Sequence, residues 1–394
     1  MLLTRWDYYK ELGYPEIKTP DDYLNLLAEM QKKHPTTDDD LPVYGFSLYN
    51  ADNALYPVTM YMRCFGVQGY NGWIDTRVED NSFSYAYTDE DSSFWKSLEF
   101  FHKAYNMGLL DPDSFTQKGE DASAKANNGQ ILAPMWRDHI KTIQAEWLAE
   151  DPENPRGYAI LHMEGTYIIE NKNAVVGGSF SASIAKTCKN PERVMQFLNY
   201  IYSPEGARTI FSGVKGEHWD VIDGVAQPLD SAIQMKKESG DAWLKSGVSN
   251  AALYGMVGVA RGVMLDDGAP ADLYRSEGYF VKDLDAVDED FCSYYGDYAY
   301  PNEVLLDKGV KDFSNLDMRI ASGYGTAPED IQRIDTKLLD MALKAIPTLI
   351  MAGDDDSFAK LKADTIQSFA EAGADQSREW WEGRHGELME KYEK

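Results

Sequence analysis

Cysteine is scarce in this chain: three residues in 394, at Cys64, Cys188 and Cys292. An odd, widely spaced set makes neither a disulfide framework nor a paired-cysteine metal pattern. Each reads as a small buried hydrophobe or a spare thiol, and no compartment follows from them. Histidine is nearly as thin. His34, His102, His139, His162, His218 and His385 are scattered with no H-E-x-x-H pair, which argues against zinc; no metal and no cofactor is expected. No apolar run approaches the roughly 18 residues of a membrane span. Positive charge is the largest deficit, with 38 Lys and Arg against 65 Asp and Glu, a net charge of −27. Such a chain cannot neutralise phosphates, which excludes nucleic acid, and its field repels anionic ligands, leaving neutral or cationic ones. Catalytic signatures are missing too. There is no G-x-S-x-G and no P-loop, and Gly323-Tyr324-Gly325-Thr326-Ala327-Pro328 breaks G-x-G-x-x-G at its last position. Many carboxylates give many acid pairs, but nothing marks one as a glycosidase pair. The reading is a binding protein, not an enzyme.

What is present is apolar and aromatic. Hydrophobic residues make up 43% of the chain, enough for two substantial lobes at this length. Twenty-five tyrosines, 15 phenylalanines and nine tryptophans supply flat side chains for stacking on sugar rings, beyond those that core packing takes. The segment from Asn190 to Gly224 is the most informative. Asn190 is placed to cap a helix with Pro191 at its first position and Glu192 next. Val194, Phe197, Leu198 and Ile201 then recur at helical spacing and predict one buried face. Ser203-Pro204 stops that helix and starts another carrying Ala207, Ile210 and Phe211. Gly213 and Gly216 end it in a turn that delivers Glu217, His218 and Trp219 to a strand, closed by Asp223-Gly224.

Three other regions carry comparable patterns. Thr19, Pro20 and Asp22 read as N-cap, first helical residue and capping-box carboxylate, ahead of a buried stripe of Tyr23, Leu26, Leu27 and Met30. Phe94, Trp95, Leu98, Phe101 and Tyr105 share a helical face before Gly108. Asn127 to Trp136 reads as a short helix, a glycine turn and the apolar strand Ile131-Leu132-Ala133, ending in a tryptophan. Val43 to Phe46 is a short strand, Gly66 to Trp73 a Gly-rich aromatic loop, and three helices close the chain.

Taken in this order, these segments resemble the extracellular solute-binding proteins of ABC importers, in the family 1, sugar-binding and lipoprotein-like branch. The resemblance implies an α/β, type II periplasmic-binding-protein-like fold of two lobes, the first lobe incomplete. Residues 1–155 would begin the second lobe, 156–218 be a remnant of the first, and 219–394 the C-terminal helical part of the second. It implies capture of an extracellular solute, an oligosaccharide, by cleft closure, and delivery by a monomer to ABC permease subunits. The alternatives are a peptide or other polar solute, and a secreted glycan-processing enzyme. The parent would be anchored at the cell surface. Met1 to Trp6 show neither a signal peptide nor a lipobox, so the expectation is a truncated chain without an export signal, exposing an apolar face on its first-lobe remnant.

The candidate ligand-binding residues follow from strand ends and Gly-hinged loops. Trp136 comes first, either as a sugar-stacking platform or as a core residue; the resemblance places a tryptophan from this strand end at the sugar. Arg137 and Asp138 supply hydroxyl contacts or form a surface ion pair. Glu217, His218 and Trp219 come second, Tyr70 and Trp73 third. Some family members insert a calcium loop after the second helix. Here Asp38-Asp39-Asp40 are consecutive, without alternating ligand positions, and read as a solvated turn.

Overall fold

In the computed structural model the described residues are 2–53, 64–70, 73–134, 140–163, 165–166, 183–238, 241–248, 257–308 and 318–392. The chain opens with β1 (Leu2–Arg5), α1 (Trp6–Glu11) and α2 (Pro20–Lys33). A meander of β2 (Val67–Tyr70), β3 (Ile74–Arg77) and β4 (Phe83–Tyr85) leads to α3 (Ser93–Asn106), α4 (Gly119–Asn127), α5 (Ile140–Glu150) and β5 (Tyr158–Leu161). Next come α6 (Pro191–Ile201), α7 (Pro204–Ser212), β6 (Trp219–Ile222), β7 (Val225–Pro228) and α8 (Asp230–Lys237). After several short helices, α9 (Glu329–Ile350), α10 (Asp355–Glu371) and α11 (Ala374–Tyr392) finish the chain. None of the described helices is long and apolar enough to cross a membrane.

Two compact units result. The first contains 1–143, 156–176 and 302–394; the second contains 144–155 and 177–301. Residues 219–301 therefore group with 177–218, because the segment 269–273 packs on α7 through Ala271 and on β7 through Leu273. Ala271 packs on Ile201, Ala207 and Phe211, and Leu273 and Ala226 pack on Trp219.

In the first unit, β1 is buried along its whole length and pairs antiparallel with β5, Leu2 opposite Leu161 and Arg5 opposite Tyr158. Single bonds widen this ladder. The Arg5 amide donates to the Leu132 carbonyl, Leu132 donates to Tyr44, and Phe46 donates to Leu109. Tyr44 bridges Ile131 and Phe46 bridges Leu110, both in parallel. The segments at 43–46 and 131–133, both expected as strands, make isolated bridges rather than ladders, and 43–46 lies between two segments running its way. The capping box holds: Asp22 N donates to Thr19 Oγ1 and Thr19 N to Asp22 Oδ2, and Tyr23, Leu26, Leu27 and Met30 are all buried. The face of α3 is buried at Phe94, Trp95, Leu98 and Phe101, whereas Tyr105 is exposed at its end. Residues 67–70 are a strand rather than a loop, paired with β3 from Val67–Arg77 to Tyr70–Ile74.

In the second unit, Pro191 begins α6 as expected, but the Asn190 side chain makes no cap hydrogen bond. The expected buried face is mostly open. Only Ile201 is buried, Val194 and Leu198 are half-buried, and Phe197 is 45% exposed beside exposed Met195 and Tyr200. Helical periodicity showed that the helix is amphipathic; it carried no information on what covers it. The break after α6 is built as read. Ser203 Oγ caps α7 by accepting from the Gly206 amide at 3.1 Å. Gly206 is fixed by contact, since a Cβ there would sit 1.9 Å from the Tyr200 carbonyl oxygen. Gly206→Ala should therefore cost about 1–3 kcal/mol, seen as a lower urea midpoint. Asp223 (φ 52°) and Gly224 (φ 85°) make the two-residue turn that joins β6 to β7, where positive φ at both positions matches the strand twist.

Candidate functional site

Parallel strands release their chain on one side, and in open α/β sheets ligands bind outside those carboxyl ends. In the first unit the segments that bridge at Tyr44, Phe46, Leu110 and Ile131 do so, and the residues that leave them are 47–50, 111–117 and 133–134. Asp111 anchors this edge while almost fully buried. Its Oδ2 accepts from Ser47 Oγ (2.6 Å), Gln117 Nε2 (3.1 Å) and Lys125 Nζ (2.7 Å). Burial pushes the Asp111 carboxyl up, but the Lys125 ammonium, the Ser47 hydroxyl and the Asp113 amide outweigh it and hold it below the usual carboxylate range. Gln117 Nε2 also donates to the Leu48 carbonyl at 2.6 Å. Residues 47 and 48 are thus held from both sides before the one-turn helix Asn50–Asn53.

Asn50 stands out at this edge. Both its Oδ1 and its Nδ2 are buried without a hydrogen-bond partner, as is Gln117 Oε1. A stranded amide costs stability, and in native proteins such groups ask for a reason, often a ligand or water. The sequence offered one faint signal for Asn50, an asparagine just past an alternating apolar strand. The Asp111 cluster had no motif at all.

The sequence-predicted residues fall in three places. Ile131 to Pro134 are buried and lead directly into 135–139. Trp136, Arg137 and Asp138 lie outside the described residues. Tyr70 ends β2, and its side chain is also outside them. Trp73 follows in the β2–β3 turn, 9% exposed, its ring 6.5 Å from Tyr87 at 30° and its indole N–H buried without a partner. Glu217, His218 and Trp219 belong to the second unit. Glu217 is exposed, while His218 is buried and accepts the Val214 amide at Nδ1 (3.2 Å). The Trp219 indole donates to the Gly213 carbonyl (3.0 Å), with the Arg208 guanidinium 5.1 Å from its ring centre. These contacts give His218 and Trp219 a role in closing the turn after α7, whatever else they bind.

Among the described residues, no group of three His, Cys, Asp or Glu side chains is disposed to hold a metal ion. The Asp38–Asp40 segment is a tight turn, Asp40 N donating to Thr37 O with φ 60° at Asp40, and Asp38 meets Arg156 at 3.3 Å. A separate cleft of about 350 Å³ lies between α3 and α10, over His102 and Phe358.

The family model of the bacterial extracellular solute-binding proteins matches residues 1–208. Lipoprotein LipO of Bacillus subtilis (strain 168) is 24% identical over 244 residues, 58% of this chain and 46% of its own. The chain thus spans about half the length of that curated relative. Two solved structures share the fold. Alginate-binding protein AlgQ2, without calcium ion, superposes with a TM-score of 0.50 at 15% identity, covering 98% of this chain and 71% of its own. The ABC-transporter substrate-binding protein FusA of S. pneumoniae, an EF-hand mutant in complex with fructo-nystose, gives 0.51 at 13%, covering 99% and 72%.

Proposed function

Because this chain belongs to the bacterial extracellular solute-binding proteins, we propose that it captures an oligosaccharide outside the cell for the permease of an ABC importer. The observation that carries this reading is the strand edge of the first unit. There the unpartnered amide of Asn50 and the segment 131–134, which precedes Trp136 in the sequence, follow neighbouring parallel bridges. An amide offers both a donor and an acceptor, which is what a sugar hydroxyl needs. A tryptophan covers the C–H face of a pyranose while the hydroxyls keep polar partners. The acidic balance of the chain favours a neutral solute. Arg137 and Asp138 are placed by sequence to meet further hydroxyls, and Tyr70, Trp73, Glu217, His218 and Trp219 remain candidate contacts. The mechanism is closure of the family's two lobes on the solute, whose contacts stabilise the closed form that the permease subunits receive. The protein acts as a monomer, and no bond of the solute is broken.

A thermal-shift panel of neutral oligosaccharides and short peptides, followed by calorimetry on the best ligand, tests the reading. Trp136→Ala should weaken the best saccharide about 30-fold, near 2 kcal/mol. Asn50→Ala should weaken it about tenfold, yet leave the free protein no less stable, since the amide has no partner to lose. A panel in which only peptides raise the melting temperature would move the assignment to a peptide binder. No response to any saccharide would overturn it.

A further inference from the structure

Helix α11 presents two faces. Trp381, His385 and Leu388 are buried in the core of the first unit. Trp380, Gly383, Arg384 and Glu387, at i, i+3, i+4 and i+7, lie on a second face, and with Glu379 and the segment 324–326 they line a groove of about 530 Å³. Gly383 is unexplained by packing: a Cβ there would meet nothing within 4 Å. Glycine inside a helix is unfavourable, so a position with ample room for a side chain has gone without one, and the groove stays open over it.

The polar lining is held in place. Arg384 donates through Nε to the Tyr324 carbonyl (3.1 Å), through Nη2 to the Gly323 carbonyl (2.7 Å) and through Nη1 to Glu387 Oε2 (2.8 Å). A guanidinium has five N–H groups, so two remain for a ligand. Glu379 is exposed and Glu387 keeps its second oxygen as an acceptor. The Trp380 ring, half-buried, stands edge-on to Trp381 with centres 4.6 Å apart and an angle of 87°.

We propose that this groove is a second saccharide site, separate from the strand edge: one sugar ring stacks on Trp380 while its hydroxyls share the free N–H groups of Arg384 and the carboxylates of Glu379 and Glu387. The mixture of donors and acceptors decides the ligand class. A cation would use the carboxylates and the ring but be opposed by the guanidinium, whereas a hydroxyl both gives and takes a hydrogen bond. The lining alone sets this preference, so it stands or falls apart from the strand-edge reading.

The test is titration of the full chain with maltotriose and with kestose, following the indole N–H resonances in a ¹⁵N-labelled sample, with Trp380 assigned through Trp380→Phe. A saturable shift of the Trp380 resonance is expected in the wild type and equally in Trp136→Ala. Gly383→Leu fills the groove and improves the helix, so at saccharide concentrations that saturate the wild type it should leave the variant's Trp380 resonance unmoved without lowering the melting temperature. An unmoved Trp380 resonance with both saccharides overturns the second site, and the strand-edge reading then rests on its own titration. So does a shift that survives Gly383→Leu, or one produced by spermidine and by neither saccharide.

Discussion

Asp7→Ala should destabilise the protein by about 3–5 kcal/mol, because it leaves a buried guanidinium without its counter-charge. Arg5 ends β1 and is 3% exposed. Asp7 takes it in a two-pronged grip, Nε to Oδ1 at 2.9 Å and Nη2 to Oδ2 at 2.7 Å. The guanidinium also lies 4.1 Å from the Tyr8 ring centre, and the Gly157 amide, beside β5, donates to Asp7 Oδ1 at 3.3 Å. Burial works against the charge on Arg5, but Asp7 more than restores it, so the group stays protonated at every accessible pH. The variant should lower the urea midpoint with an unchanged slope. Arg5→Met in the same background should recover part of the loss, since it removes the stranded charge.

The second large effect is expected at Asp335, buried where α9 meets α11. Its carboxylate accepts from the Ser377 hydroxyl and from the Trp381 indole N–H at 3.0 Å, and the Tyr85 hydroxyl donates to Ser377 Oγ at 2.9 Å. Asp335→Ala strands two buried donors, at about 1–3 kcal/mol each. A pH signature distinguishes this site from ordinary packing. Burial pushes the Asp335 carboxyl up, and the two donors only partly offset it. The folded state therefore holds this proton more tightly than the unfolded chain. The stabilisation due to protonation is complete below the ordinary aspartate value and is lost as pH rises through the folded one. The stability of the wild type relative to Asp335→Asn, which cannot titrate, should accordingly rise as pH falls from neutrality through that window. A gap independent of pH would contradict the assignment.

Local chemistry was the part most legible from sequence. The Thr19-Pro20-Asp22 capping box, the Ser203-Pro204 break and the Asp223-Gly224 turn each depend on residues within a few positions of one another, and the structure has all three. Family membership was legible as well, from the order of such segments. Reading failed where the outcome depends on distant partners. Asn190 sits at a cap position, yet its side chain caps nothing. The apolar stripe of α6 predicted burial, yet Phe197 and its neighbours face outward. The Gly66–Trp73 segment looked like a loop because its glycines hid a strand that pairing with β3 stabilises. Asn50 and Asp111 went unseen because 64 positions separate Ser47 from the carboxylate that fixes it. Trp136, the leading sequence candidate, lies outside the described residues.

The strand edge of the first unit is stitched together by isolated bridges at Tyr44, Phe46 and their partners rather than by long ladders, while the deep anchoring falls to Asp111 and Lys125 behind it. The residues that leave this edge are therefore in part the ones that hold it, since Ser47 and Gln117 both donate to the Asp111 carboxylate. Under the proposed reading, substitution at Asn50, whose amide bonds no neighbour, would alter solute contacts with little penalty to folding, whereas substitution at Ser47, Asp111 or Gln117 would disturb the fold of the edge as well.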